Sequence, residues 1–216
     1  MIRLSGITPS GHVQLGNYLG AVRRWAADGT KDDVYFISDL HAMTTAYNPQ
    51  QLRALTREQL AVLVAAGVPA DSVFVQSDLL PLHAALTWVL ECVCSFGEAQ
   101  RMTQFREKAA GRASVRLGLL TYPVLMAADI LAHGAHEVPV GEDQAQHVEL
   151  ARTLARRFNE SYGEAFVVPR TTLPPAAARV RDLANPGRKM AKSTSDQAGV
   201  VRVLDPPDVV RRKVSR

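Results

Sequence analysis

Three basic residues, Arg188, Lys189 and Lys192, fall within five positions beside Gly187, in the run Lys189-Met190-Ala191-Lys192-Ser193. Asn185-Pro186-Gly187 ahead of it marks a loop. Lysine ammonium groups are compact, movable charges, suited to negative charge that develops on a leaving group. Such a loop can close over a polyphosphate. It can equally be a solvated surface loop. A second stretch narrows the choice. Gly6-Ile7-Thr8-Pro9-Ser10-Gly11-His12-Val13-Gln14-Leu15-Gly16-Asn17 follows a strand predicted over Ile2 to Leu4 and precedes a helix predicted from about Tyr18 to Ala27. Glycines permit close backbone approach, and a helix N-terminus offers unpaired N–H groups to phosphate. The stretch is neither a G-x-x-x-x-G-K-[ST] loop nor a G-x-G-x-x-G fingerprint, so neither an ordinary P-loop NTPase nor an NAD enzyme is indicated.

Tyr122, Met126, Asp129 and His133 are spaced i, i+4, i+7, i+11 and share one helical face. Met126 to Ala132 is apolar apart from Asp129. An aspartate on such a face needs a partner, and a ligand N–H in an apolar pocket is one. Gly141-Glu142-Asp143-Gln144 opens another helix, with Gln144 and His147 at i and i+3 on one side. Gln144 is placed to orient an ammonium or a ribose hydroxyl. His41, Asp129, His133, Glu142 and His147 show no H-E-x-x-H-type spacing, so no metal ligands are assigned. Ser10 lies outside a G-x-S-x-G context. An alternative chemistry needs no side-chain nucleophile: a bound carboxylate could attack the α-phosphate of ATP, with the protein supplying position and positive charge.

The elements that position these residues read as α/β. Val34 to Ser38 and Val73 to Ser77 are predicted strands, joined by a helix that Asn48 caps, Pro49 starts and Gly67 ends. Three helices follow without a strand: Pro81 to Gly97, about Glu98 to Ala110, and one reaching about His133. They read as an insertion between two halves of a parallel sheet. His136 to Val140, Phe166 to Pro169 and Val200 to Leu204 are the later strand candidates, with a long helix from Gly141 to about Tyr162. Asp205-Pro206-Pro207-Asp208 starts a last helix with good capping residues.

With 216 residues, 47% of them hydrophobic, the chain can bury a sizeable core. The net charge of +4 is uneven. Residues 179–216 carry ten Lys or Arg against four Asp, leaving the remainder slightly acidic. Cys92 and Cys94 make neither a zinc knuckle nor a disulfide framework. No signal peptide and no 18-residue apolar run is seen, so a cytoplasmic protein without a membrane partner is expected.

Taken in order, Pro9-Ser10-Gly11 with Leu15-Gly16-Asn17, Arg101-Met102-Thr103-Gln104-Phe105, Leu119 to Ile130, Pro139 to Gln144 with His147, and Lys189 to Ser193 resemble bacterial-type tryptophanyl-tRNA synthetase, a class I enzyme. The likeness covers essentially the whole chain. Met126-Ala127-Ala128-Asp129 with Gly141 to Gln144 favours the tryptophan enzyme over its tyrosine counterpart. The resemblance implies a Rossmann-like catalytic domain over residues 1–216, with halves at about 1–80 and 136–204 and a helical insertion at about 81–135. It also implies that the C-terminal helical, anticodon-binding part is absent.

Site roles follow by the same resemblance. Gly6, Thr8, Gln14, Gly16 and Asn17 would surround adenosine and phosphates. Tyr122, Met126, Val138 and Val140 would line the indole pocket, and Asp129 would accept the indole N–H. His41 and Gln144 would help hold the amino acid. Lys108, Lys189 and Lys192 would face the ATP phosphates, with Met190 beside the nucleotide. Gly141 and Asp143 belong to the adenylate-side loop. ATP and Mg²⁺, L-tryptophan, the acceptor end of tRNA(Trp), and a second synthetase subunit, identical or full-length, are the implied partners. Two departures from the pattern stand out: Gln14 where the family has histidine or threonine, and Ala191 where it has serine. Beside the synthetase reading stand a tryptophan-activating protein of another pathway and a non-catalytic paralogue paired with a full-length enzyme.

Overall fold

Both faces of the central strands are apolar, and both are covered. The computed structural model describes residues 1–172, 180–192 and 196–215. Ser193, the last residue of the basic motif, lies outside them. Strand β1 (Leu4–Ile7) leads into a helical stretch made of α1 (Leu15–Asn17), a π-helical turn (Tyr18–Val22) and α2 (Arg23–Asp28). Then come β2 (Val34–Ile37), α3 (Asp39–Ala42), α4 (Pro49–Ala65) and β3 (Val73–Val75). The strands pair in parallel, Leu4 opposite Val34 and Tyr35 opposite Val73. Phe36 and Leu4 enter one core cluster, and Tyr35, Ile37 and Ile7 enter the other. That period of two, with both faces buried, is what a parallel sheet wrapped by helices requires.

Four helices follow: α5 (Leu80–Glu91), α6 (Phe96–Gln100), α7 (Thr103–Ala109) and α8 (Leu117–Ala132). Sequence predicted three. The first stops early because Ser95 starts a new helix: its hydroxyl accepts from the Glu98 N–H while the Glu98 carboxylate accepts from the Ser95 N–H. Helix α8 carries Pro123 inside it, held by burial of Leu119, Val124, Ala127, Ile130 and Leu131.

Strand β4 (Glu137–Pro139), α9 (Glu142–Tyr162) and β5 (Arg170–Thr172) complete the second half, with β4 and β5 parallel. A single parallel bridge, Arg3 to Glu137, joins the two sheets. The strand order across it is β5-β4-β1-β2-β3, a Rossmann-like arrangement. Helices α8 and α9 contribute to one core cluster through Ile130, Val148 and Leu154. Helix α4 contributes to the other through Val62 and Leu63.

Three strand expectations are corrected. The first strand is Leu4–Ile7, not Ile2 to Leu4, so Gly6 is a strand residue. Phe166 to Pro169 is not a strand, because the Asn159 side-chain oxygen accepts from Ala165 N and Phe166 N, and β5 begins only at Arg170. Val200 to Leu204 forms only an antiparallel bridge, Gln14 to Arg202, since its partner turns into α1 at once. Helix α10 (Pro207–Val214) has no side-chain cap. The Asp205 carboxylate instead accepts from Arg202 N and Lys213 Nζ.

Leu90 is fully buried in the larger cluster. Leu90→Ala is expected to cost about 2–5 kcal/mol through the cavity it leaves. Urea denaturation would show this as a lower midpoint at unchanged slope.

Candidate functional site

The carboxyl ends of β1, β2 and β4 open into a cavity of about 560 Å³. Open parallel sheets place ligands at this edge, where the strand order reverses, and β1 lies between β2 and β4. Gly6 and Thr8 enter from β1, Ser38 and His41 from the end of β2, and Val138 and Val140 from β4. Helix α8 supplies Tyr122, Met126 and Asp129, and Lys108 and Gln144 close the rim. His133 shares their helical face but does not line the cavity; its ring packs 4.9 Å from Phe74. Gly6 is required from within: a Cβ there would sit 2.7 Å from the Phe36 ring. A second cavity of about 230 Å³ shares Gly6, Val140 and Gln144 and is bounded by Gly141, Gly20 and Arg24.

Asp129 is 0% exposed. Its Oδ1 accepts from Gln76 Nε2 at 2.7 Å and His83 Nδ1 at 2.6 Å, and its Oδ2 accepts from His41 Nε2 at 2.7 Å. Burial alone would push this carboxyl up, but the bonds from His41 and His83 outweigh it and hold the group below its usual range. It is therefore an ionised acceptor.

A second chain of hydrogen bonds runs along the rim. Gln144 Nε2 donates to Asp143 Oδ2 at 2.8 Å, which leaves its Oε1 facing His147 Nδ1 at 2.9 Å. His147 Nδ1 must then donate, and its Nε2 accepts from the Tyr122 hydroxyl at 3.1 Å. Burial, with Lys108 adding to it, pushes His147 down to about 4, so the ring is neutral. Burial likewise pushes Tyr122 up to about 12, keeping it a donor. Lys108 Nζ stands 5.4 Å over the Tyr122 ring.

The two glycine-marked motifs touch. Gln14 caps α1: its side-chain oxygen accepts from Gly16 N, and Asn17 Oδ1 accepts from Gln14 N at 3.3 Å. Gln14 Nε2 crosses to the Met190 carbonyl at 3.1 Å. Lys192 Nζ donates to the Thr8 carbonyl at 2.9 Å. Both ends of the Gln14 amide are thus engaged by the fold. Met190 buries its side chain with Val200 and Val201 in a separate apolar cluster. Lys189 is exposed on the loop.

The chain matches the family described as tRNA synthetases class I (W and Y) across residues 1–216. The chain belongs to this family. It is 57% identical over 220 residues to tryptophan--tRNA ligase 1 of Streptomyces coelicolor, covering 98% of this chain and 65% of that protein. Tryptophanyl-tRNA synthetase from Mycoplasma pneumoniae superposes with a TM-score of 0.87 at 38% identity, over 98% of this chain and 63% of that one. The enzyme from Campylobacter jejuni complexed with ADP and tryptophane gives a TM-score of 0.89 at 32% identity, over 100% of this chain and 66% of that one. The chain thus spans about 65% of the length of the curated relatives it matches.

In this synthetase-family chain, sequence reasoning missed Gln76, His83 and Asp182. Gln76 and His83 sit on separate elements and meet Asp129 only through packing. Asp182, 1% exposed, organises the basic loop: its Oδ1 accepts from Ala184 N and Asn185 N, and its Oδ2 pairs with Arg188 at 3.2 Å. A Cβ at Gly199 would overlap that carboxylate. The one available signal was an aspartate just ahead of Asn-Pro-Gly, a position where such side chains bind turn backbone.

Burial pushes Lys192 from its ordinary 10.5 down to about 7. Between those values the unfolded chain binds a proton that the folded chain releases, so this residue's contribution to stability rises with pH. Urea midpoints at about pH 6.5 and about pH 9.5 are expected to show wild type gaining on Lys192→Met as the pH is raised. An equal gap at both pH values would contradict the assignment.

Proposed function

We propose that the chain activates L-tryptophan with ATP, forming tryptophanyl-adenylate and releasing pyrophosphate, and passes the amino acid to the 3′-terminal 2′-hydroxyl of tRNA(Trp). The observation that carries the reading is the ionised, buried Asp129 carboxylate at an otherwise mostly apolar wall of Met126, Val138 and Val140. An indole fits that wall and supplies an N–H for the carboxylate. The Campylobacter jejuni enzyme, complexed with ADP and tryptophane, supports the same pair of ligands.

In this reading, Gln144 and His41 hold the amino acid's polar end, with Gln144 fixed by the His147 and Asp143 bonds. The tryptophan carboxylate attacks the α-phosphorus, and pyrophosphate leaves. No side-chain nucleophile is required; position and positive charge do the work. Lys192 is bound to the backbone of Thr8, which lines the cavity, and with Lys189 and Lys108 it neutralises the phosphates. Gly16, Asn17, Gly141 and Asp143 border the nucleotide. Among the described residues no group of three or more His, Cys, Asp or Glu is placed to hold a metal. Mg²⁺ would enter with ATP and offset the charge of the phosphates.

Tryptophan-dependent exchange of labelled pyrophosphate into ATP is the test. Exchange with tryptophan, and little with phenylalanine or tyrosine, is the expected result; a folded chain without exchange overturns the reading. A site built around a buried acceptor rejects a substrate lacking the N–H by a factor on the order of 10⁴. Asp129→Ala is expected to collapse that preference while ATP affinity, measured by calorimetry, survives. Equal loss of ATP affinity would refute the role.

Assembly belongs to the same reading. Helix α5 exposes Leu82, Val89 and Trp88, the last 68% exposed beside a cavity of about 440 Å³ that Leu40, Met43 and Leu125 also line. Unpaired apolar area of this kind marks an interface, here with a second synthetase subunit. Sedimentation is expected to show a dimer that Trp88→Asp converts to monomer. We place the protein in the cytoplasm; no described helix is long and apolar enough to cross a membrane.

A further inference from the structure

A carboxylate has two oxygens and about four acceptor sites. At Asp129, among the described residues, three are filled from within the protein: two on Oδ1, by Gln76 and His83, and one on Oδ2, by His41. Asp129 is also one of the residues lining the cavity. One acceptor site on Oδ2 is therefore left for a ligand, and its direction is set by whatever fixes the carboxylate plane. His41 lines the cavity itself, so it touches what it would orient. His83 does not line it. It lies on α5, fully buried, with its ring 5.9 Å from Phe74 and 5.5 Å from His133. Among the described residues, the one hydrogen bond from its ring is that to Asp129, and His83 Nε2 is buried without a partner.

A buried imidazole with one nitrogen unpaired costs stability that a leucine of similar size would not. Apolar packing alone therefore gives no reason for histidine here. Because the acceptor is an ionised carboxylate, His83 Nδ1 must carry the proton. Gln76 is fixed in turn, its Oε1 accepting from Leu40 N at 3.2 Å. The carboxylate is thus clamped from the side away from the cavity by two donors on one oxygen.

We propose that His83, seconded by Gln76, is a positioning residue for amino-acid selection, setting the plane of the Asp129 carboxylate so that its remaining acceptor site meets a planar N–H in the cavity. This rests on the tryptophan reading given above. His83 makes no contact with substrate in this role, and its effect is confined to discrimination at one atom.

The test compares equilibrium binding of L-tryptophan with that of 3-benzothienyl-L-alanine, which keeps the bicyclic shape and replaces N–H by sulfur. Calorimetry on the whole chain gives the affinity ratio. Wild type is expected to favour tryptophan strongly. His83→Leu, which keeps the volume and removes the donor, is expected to cut that ratio about tenfold, with ATP affinity unchanged. His83→Asn, whose side-chain amide can stand in for the Nδ1–H, is expected to restore most of it. A general packing defect would weaken both ligands together and would not be rescued by Asn. A ratio unchanged in His83→Leu, or an Asn variant no better than Leu, overturns the proposal while leaving tryptophan activation standing. Wild type that binds neither amino acid, or both equally, overturns the tryptophan reading and this proposal with it. Should His83→Leu fail to fold, Gln76→Met removes the other donor to the same oxygen. It is expected to lower the ratio in the same direction, and an unchanged ratio there is equally fatal.

Discussion

A carboxylate taken out of water costs several kcal/mol unless its lone pairs are filled, and Asp129 is fully out of water. Its three donors come from three places: His41 just after β2, Gln76 just after β3, and His83 on α5. The sheet edge and the inserted helices therefore cannot be arranged independently. Helix α8 must hold Asp129 where all three reach it, and the same placement brings Tyr122 and Met126 to the cavity wall. Stability and recognition rest on one group, since the carboxylate that locks these elements together is the one a ligand N–H would meet.

The other half of the site depends on contacts between segments far apart in sequence. Gln14 bonds the Met190 carbonyl, and Lys192 bonds the Thr8 carbonyl. The basic loop is anchored on its own side by Asp182 and by the burial of Met190. A lysine drawn this far from water gives up part of its affinity for a proton. Phosphate oxygens arriving beside it would restore that affinity. The loop thus couples proton binding, backbone contact and anion binding in one side chain. Gln14 adds a contact of a kind that no imidazolium could make, because an amide can accept from Gly16 and donate to Met190 at once.

Much of this was legible in the residues. An aspartate alone on the apolar run Met126 to Ala132 had to find donors, and it has them. Gln144 and His147, three apart on one helix, do bond. Val34 to Ser38 and Val73 to Ser77 contain β2 and β3, because continuous apolar strands admit few other solutions. Less was legible where side chains capture backbone. Ser95 ends one helix by starting another, and Asn159 claims the N–H groups of Ala165 and Phe166 that strand pairing would need. Hydrophobic periodicity does not register such competition.

The sequence by itself determined the alternation of strands and helices, the apolar faces, the glycine-marked turns and the candidate phosphate and amino-acid residues. These depend on local spacing, and local spacing survives in one dimension. Only the tertiary structure decided which donors complete Asp129, which way the His147 ring is protonated, and that the Met190 side chain packs into a core. The donors to Asp129 lie tens of residues from it in the chain, and the other two follow from side-chain orientation and burial. Neither leaves a periodic trace in the chain.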